Sequence, residues 1–109
     1  MYDPKTTGTV EGTGAEIIVE LGYKPTFVKL INIDDAGGDI ITLYHVAGMP
    51  AASGLKNIDA DPHLKITVGG ITLFDGDTTT TPPKKAGFKI GTDADMNVNG
   101  ETLMYMVAR

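Results

Sequence analysis

Two apolar-patterned runs flank Asn99-Gly100, and no other dipeptide constrains the fold of this chain as strongly. Asn and Gly both tolerate positive φ, which the type I′ turn of a two-residue hairpin loop requires. The stretch from Gly87 to Val98 and the stretch from Glu101 to Arg109 are therefore expected to pair as a C-terminal β-hairpin. In the second stretch Leu103, Tyr105 and Val107 alternate with Met104 and Met106. Both faces are then apolar, as in a strand buried on two sides. Met104 and Met106 either complete the core or face another subunit, because methionine fills irregular gaps and suits adaptable contacts.

Thr26 to Ile33 is the clearest strand. It sets Phe27, Lys29, Ile31 and Ile33 on one side and Val28, Leu30 and Asn32 on the other. Asp34 to Asp39 is a loop by composition, and Asp39 to Val46 reads as the partner strand, so a second hairpin is expected. Ala15 to Leu21 alternates more loosely, and Gly22-Tyr23-Lys24-Pro25 supplies its turn. Leu64, Ile66 and Val68 alternate with Lys65 and Thr67 until Gly69-Gly70 ends the strand. Between Ala47 and Pro62 the periodicity is lost. Thr78 to Pro83 is an extended loop, since proline fixes φ and lacks the donor that a sheet interior requires.

Residues 1–13 read as a possible N-terminal arm or an early edge strand, and 14–109 as a single β domain. A chain of 109 residues supports one core without staples. Strands and turns recurring about every ten residues point to an all-β fold, a small antiparallel β-sandwich or barrel with a C-terminal hairpin and an N-terminal arm.

Charge and composition narrow the function. The net charge of −5 and the scattered basic residues argue against nucleic acid, whose phosphates need clustered Lys and Arg. With no cysteine there is no thiol catalysis, disulfide or thiolate metal site. The apolar stretches are too short to span a bilayer, and Met1-Tyr2-Asp3-Pro4-Lys5 lacks the basic and apolar regions of a signal peptide. A soluble protein made in the cytosol is expected.

Candidate chemistry is sparse. Asp93, Asp95, Asn97 and Asn99 alternate like the start of a Ca²⁺ loop, but the EF-hand positions for Gly and Glu hold Val98 and Met104. The alternation reads instead as a solvated strand face, with a weak oxygen-ligand Ca²⁺ site as the alternative. His45 and His63 read as surface or turn residues rather than a base or metal ligand. Ser53 lacks the Gly-x-Ser-x-Gly elbow of a hydrolase and has no histidine tied to it by spacing. Gly37-Gly38 and Gly69-Gly70 are turn glycines that open no helix as a phosphate loop would. No catalytic, cofactor-binding or metal-binding set emerges, and no enzyme is expected.

The run Gly22-Tyr23-Lys24-Pro25-Thr26-Phe27-Val28-Lys29-Leu30-Ile31-Asn32 resembles the opening strand of small tailed-bacteriophage virion proteins, patterned G-apolar-x-P-x-x-V-x-apolar. Gly87-Phe88-Lys89-Ile90-Gly91-Thr92-Asp93 through Gly100-Glu101-Thr102-Leu103 resembles their closing segment, G-F-x-I-G-x-D-x-x-[VI]-N-x-x-G-E-x-x. Gly14-Ala15-Glu16-Ile17 and Gly70-Ile71-Thr72 follow the same layout. The resemblance implies a non-enzymatic virion protein, most like the capsid decoration (cement) proteins that bind the outside of an expanded head and stabilise it. Its implied partners are the major capsid protein and further copies of itself, with a trimer favoured, and its implied place is the outer capsid surface. A tail- or fibre-associated module or a head-spike adaptor is the alternative, followed by a small carbohydrate- or Ca²⁺-binding β-domain. The residues singled out for partner contact are Met1, Tyr2, Asp3, Pro4 and Lys5 of the arm, with Met104 and Met106.

Overall fold

The alternation in Phe27–Asn32 sets the two sides of the molecule. Val28, Leu30 and Asn32 are fully buried, whereas Phe27, Lys29 and Ile31 stay half-buried on the opposite side. The computed structural model describes residues 5–35, 38, 40–58 and 61–109. Its strands are β1 (Lys5–Glu11), β2 (Ile17–Glu20), β3 (Phe27–Asn32), β4 (Ile41–Val46), β5 (Ser53–Ile58), β6 (Asp61–Phe74), β7 (Gly87–Ile90) and β8 (Thr102–Ala108). They form one antiparallel sheet in the order β1-β8-β3-β4-β5-β6-β7-β2.

The sheet curls into a half-barrel. Phe88 on β7 and Tyr105 on β8 meet edge-to-face with ring centroids 5.5 Å apart, although four strands separate them in the sheet. Tyr23, in the turn after the edge strand β2, donates from Oη to Thr6 Oγ1 on the other edge strand at 2.8 Å. The hollow is filled by Val28, Leu30, Leu43, Ile71, Phe88, Ile90, Met96, Leu103 and Val107. Burying side chains of this size contributes roughly 1.5–3 kcal/mol each. The fold is thus all-β and antiparallel, as expected, with one curled sheet enclosing its own core.

The expected β3–β4 hairpin forms, with Leu30 opposite Leu43 and Val28 opposite His45. The expected C-terminal hairpin does not, because β8 pairs with β1 and β3 and never with β7. Asn99-Gly100 does make a tight turn, with Glu101 N donating to Val98 O at 3.0 Å and Gly100 at φ +86°, but Asn99 does not take positive φ, so the turn is not the expected type I′. That turn docks on Gly12, through Gly100 N to Gly12 O at 3.0 Å and Gly12 N to Glu101 O at 2.8 Å. It therefore delivers the chain into β8 beside β1. The stretch before it leaves the sheet after Ile90 because Met96 enters the core.

Two further expectations give way. β5 lies where no periodicity was legible, because its inward positions hold Gly54 and Lys56 in place of large apolar residues. A Cβ on Gly54 would sit 2.7 Å from Leu43 Cδ1. Gly69-Gly70 does not end its strand either. β6 continues to Phe74, and its pairing with β5 jumps from Gly54–Ile66 to Ser53–Ile71 across a bulge. Gly69, at φ +77°, takes the backbone conformation that a β-bulge favours. Of the expected arm, residues 5–11 form the edge strand β1, and Met1, Tyr2, Asp3 and Pro4 lie outside the described residues.

Candidate interaction surface

The two sides of the sheet carry different chemistry. On the inner side the polar residues are consumed by the fold. Lys56 Nζ stands 3.0 Å from an Asp93 carboxylate oxygen and 2.5 Å from Asp95 Oδ2. Burial alone would push the ammonium pKa down, but the hydrogen bonds it donates to Asp95 and Asp93, with their charges, outweigh it and hold Lys56 above its ordinary value. Such a lysine stays protonated and serves as a clip, neither nucleophile nor base. The Asn97 carboxamide donates to Ala15 O and Gly91 O at 2.7 and 2.8 Å and accepts from the Thr13 and Gly14 amides at 2.9 and 3.1 Å. Asn32 donates to Asp95 O and Glu101 Oε1 at 2.9 and 2.8 Å.

These contacts overturn the solvated strand face. Asp93 and Asp95 grip Lys56, Asn97 is buried as a four-bond staple, and Asn99 sits in the exposed turn. The four side chains do not converge, so the Ca²⁺ alternative loses its geometry. Among the described residues no group of His, Cys, Asp or Glu is placed to hold a metal.

His45 is buried rather than on the surface, and its Nδ1 donates to Ser53 O at 3.0 Å. Ser53 Oγ donates to Pro50 O, so the pair locks the turn between β4 and β5 and forms no nucleophile–base dyad. His63 falls within β6, with its side chain outside the described part.

The outer side is where the chain presents unsatisfied apolar surface. Strand register lines up Thr7, Met106, Lys29, Tyr44, Leu55 and Lys65 as one row across β1, β8, β3, β4, β5 and β6. The next row holds Thr9, Met104, Ile31, Thr42 and Asn57, and Ala108, Phe27 and Val46 lie on the other flank. Met104, Met106 and Val46 are 41%, 39% and 42% exposed. Phe27 and Tyr44 are ring neighbours at 6.2 Å, and Lys29 Nζ lies 5.5 Å from the Tyr44 ring centre. A cleft of about 460 Å³ between the Ala47–Pro50 turn, Leu55 and Lys65 continues this face.

Met104 and Met106 therefore lie on the outside, and β8 is not sandwiched on both faces. Sequence reasoning singled out these methionines but missed Phe27, Ile31, Tyr44, Val46 and Leu55 beside them. The missed signal is the two-sided apolar alternation of β3, which matches that of β8. The arrangement suits docking against a flat apolar partner, with Lys29 and Lys65 as its cations in a chain of net charge −5. Comparison of the chain with family models, with curated proteins and with solved structures gave no match.

Proposed function

We propose that the protein is a non-enzymatic bacteriophage structural component that decorates and stabilises the outer surface of the capsid. The observation that carries this reading is the largely apolar outer face of β8, β3 and β4, with Met104 and Met106 exposed on its β8 side and Phe27, Ile31 and Tyr44 beside them. The likeness of the Gly22–Asn32 and Gly87–Leu103 runs to small virion proteins supplies the biological setting. A decoration protein needs a rigid body and one modest docking face, because repetition over a symmetric shell lets avidity replace single-site affinity. The half-barrel provides the rigid body, since its polar inner groups bond one another. Its outer face provides the contact.

Two measurements test the proposal. Quantitative mass spectrometry of purified virions should find hundreds of copies of the chain per particle. A handful would move it to the tail or a vertex, and none would end the virion reading. Met106→Asp should fold normally and fail to bind shells of the major capsid protein, because it places a charge in the desolvated contact. Undiminished binding by this variant would remove the outer face from the proposal.

A further inference from the structure

β1 stands at one end of the sheet, and among the described residues no strand lies beyond it. All seven of its residues pair with β8 without a bulge, and none is proline. An edge of this kind offers a row of backbone donors and acceptors to another strand, and neither proline, a bulge nor short length blunts it; its charges, Lys5 and Glu11, stand at its two ends, and Tyr23 meets it at the Thr6 hydroxyl. The opposite edge, β2, has only four residues, and its Glu20 carboxylate is already engaged by the Lys85 amide at 2.7 Å.

The order of residues along β1, Lys5-Thr6-Thr7-Gly8-Thr9-Val10-Glu11, is complementary to itself when reversed. Antiparallel pairing centred on Gly8 sets Lys5 opposite Glu11, Thr6 opposite Val10 and Thr7 opposite Thr9, and the symmetry makes each pair occur twice. Opposite charges and Thr–Thr pairs are favourable cross-strand neighbours. A slip of two residues would set Lys5 opposite Thr9 or Thr13 and lose both charge pairs, whereas a slip of one would turn the inner face outward. Thr7 and Thr9 also adjoin Met106 and Met104 in register, so the outer faces of two such copies become one surface.

We infer that the partner of the β1 edge is a second copy of this chain, paired β1 to β1 about a twofold axis through Gly8. The contact is isologous, with each copy presenting the same strand. It yields a dimer, in place of the trimer expected from the family likeness. It stands independently of the capsid proposal, because it uses the edge and not the outer face.

Analytical ultracentrifugation at low ionic strength, where screening is weakest, tests the inference on the full chain and its charge variants. The wild type should be dimeric. K5E alone sets Glu opposite Glu, and E11K alone sets Lys opposite Lys, so each should raise the dimer Kd about tenfold. An equimolar mixture of the two variants, and the double variant K5E/E11K, should both recover wild-type association. A wild-type monomer or trimer would overturn the inference, and so would a dimer indifferent to both single changes or a mixture that fails to recover. Met106→Asp should leave this dimer intact, which separates its failure from failure of the capsid docking.

Discussion

The loops 75–86 and 91–101 look alike in sequence, both polar and rich in turn formers, yet they lie on opposite sides of the energy balance. The first stays at the surface. Asp77 exchanges backbone hydrogen bonds with Lys84 at 2.9 and 2.8 Å and caps Thr79, while Pro82, Pro83, Lys84 and Lys85 face solvent. The second passes under the sheet, where Met96 is fully buried and Asn97, Asp93 and Asp95 are bonded to groups far away in the chain. Polarity alone does not decide which side a segment takes. What decides is whether the fold supplies a partner for each polar atom, since a satisfied buried group costs little and an orphaned one costs about 1–3 kcal/mol.

Breaking the inner loop should have the largest effect. Asn97→Ala orphans the Thr13 and Gly14 amides and the Ala15 and Gly91 carbonyls, and should lower unfolding stability by about 3 kcal/mol in urea titration. A loss below that of an ordinary surface change would mean water replaces the carboxamide. Lys56→Met should cost less, about 2 kcal/mol, because it leaves Asp93 facing Asp95 while Asp95 keeps partial access to solvent.

The same clip has a pH signature. The folded protein holds the Lys56 proton more tightly than the unfolded chain does, so this contribution is fully present below the ordinary pKa of 10.5. It is lost as pH rises from there through the higher folded value. Wild-type stability should fall over that alkaline window, and Lys56→Met should flatten this part of the fall. Identical slopes in the two proteins would show that the ion pair does not form.

The smallest effect belongs to the outer loop. Asp77→Ala removes hydrogen bonds that are open to water and should leave the urea midpoint unchanged. A midpoint shift as large as that of Lys56→Met would erase the contrast between the loops.

Much of the sheet was legible in the sequence. Period-two alternation located β3, β4 and the first half of β6, and the abundance of turns gave the all-β class. The C-terminal pairing was not legible, because Asn99-Gly100 reports a turn but not which strands it brings together. The burial of Lys56, Asn97 and His45 was equally hidden. Their partners lie on other elements, Lys56 with Asp93 across 37 positions and Thr13 with Asn97 across 84. The surface was half visible: the two-sided β8 announced itself, while β3 needed its inner neighbours known before Phe27 and Ile31 could be placed outside.

Methionine oxidation tests the central division between inner core and outer face most directly. Dilute peroxide acting on the folded protein, followed by peptide mass spectrometry, reads each methionine separately. Met104 and Met106 should be converted readily, Met96 should stay reduced until the protein unfolds, and bound capsid shells should shield the two outer residues. Rapid conversion of Met96 in the native protein, or protection of Met104 and Met106 when no shell is present, would contradict the account.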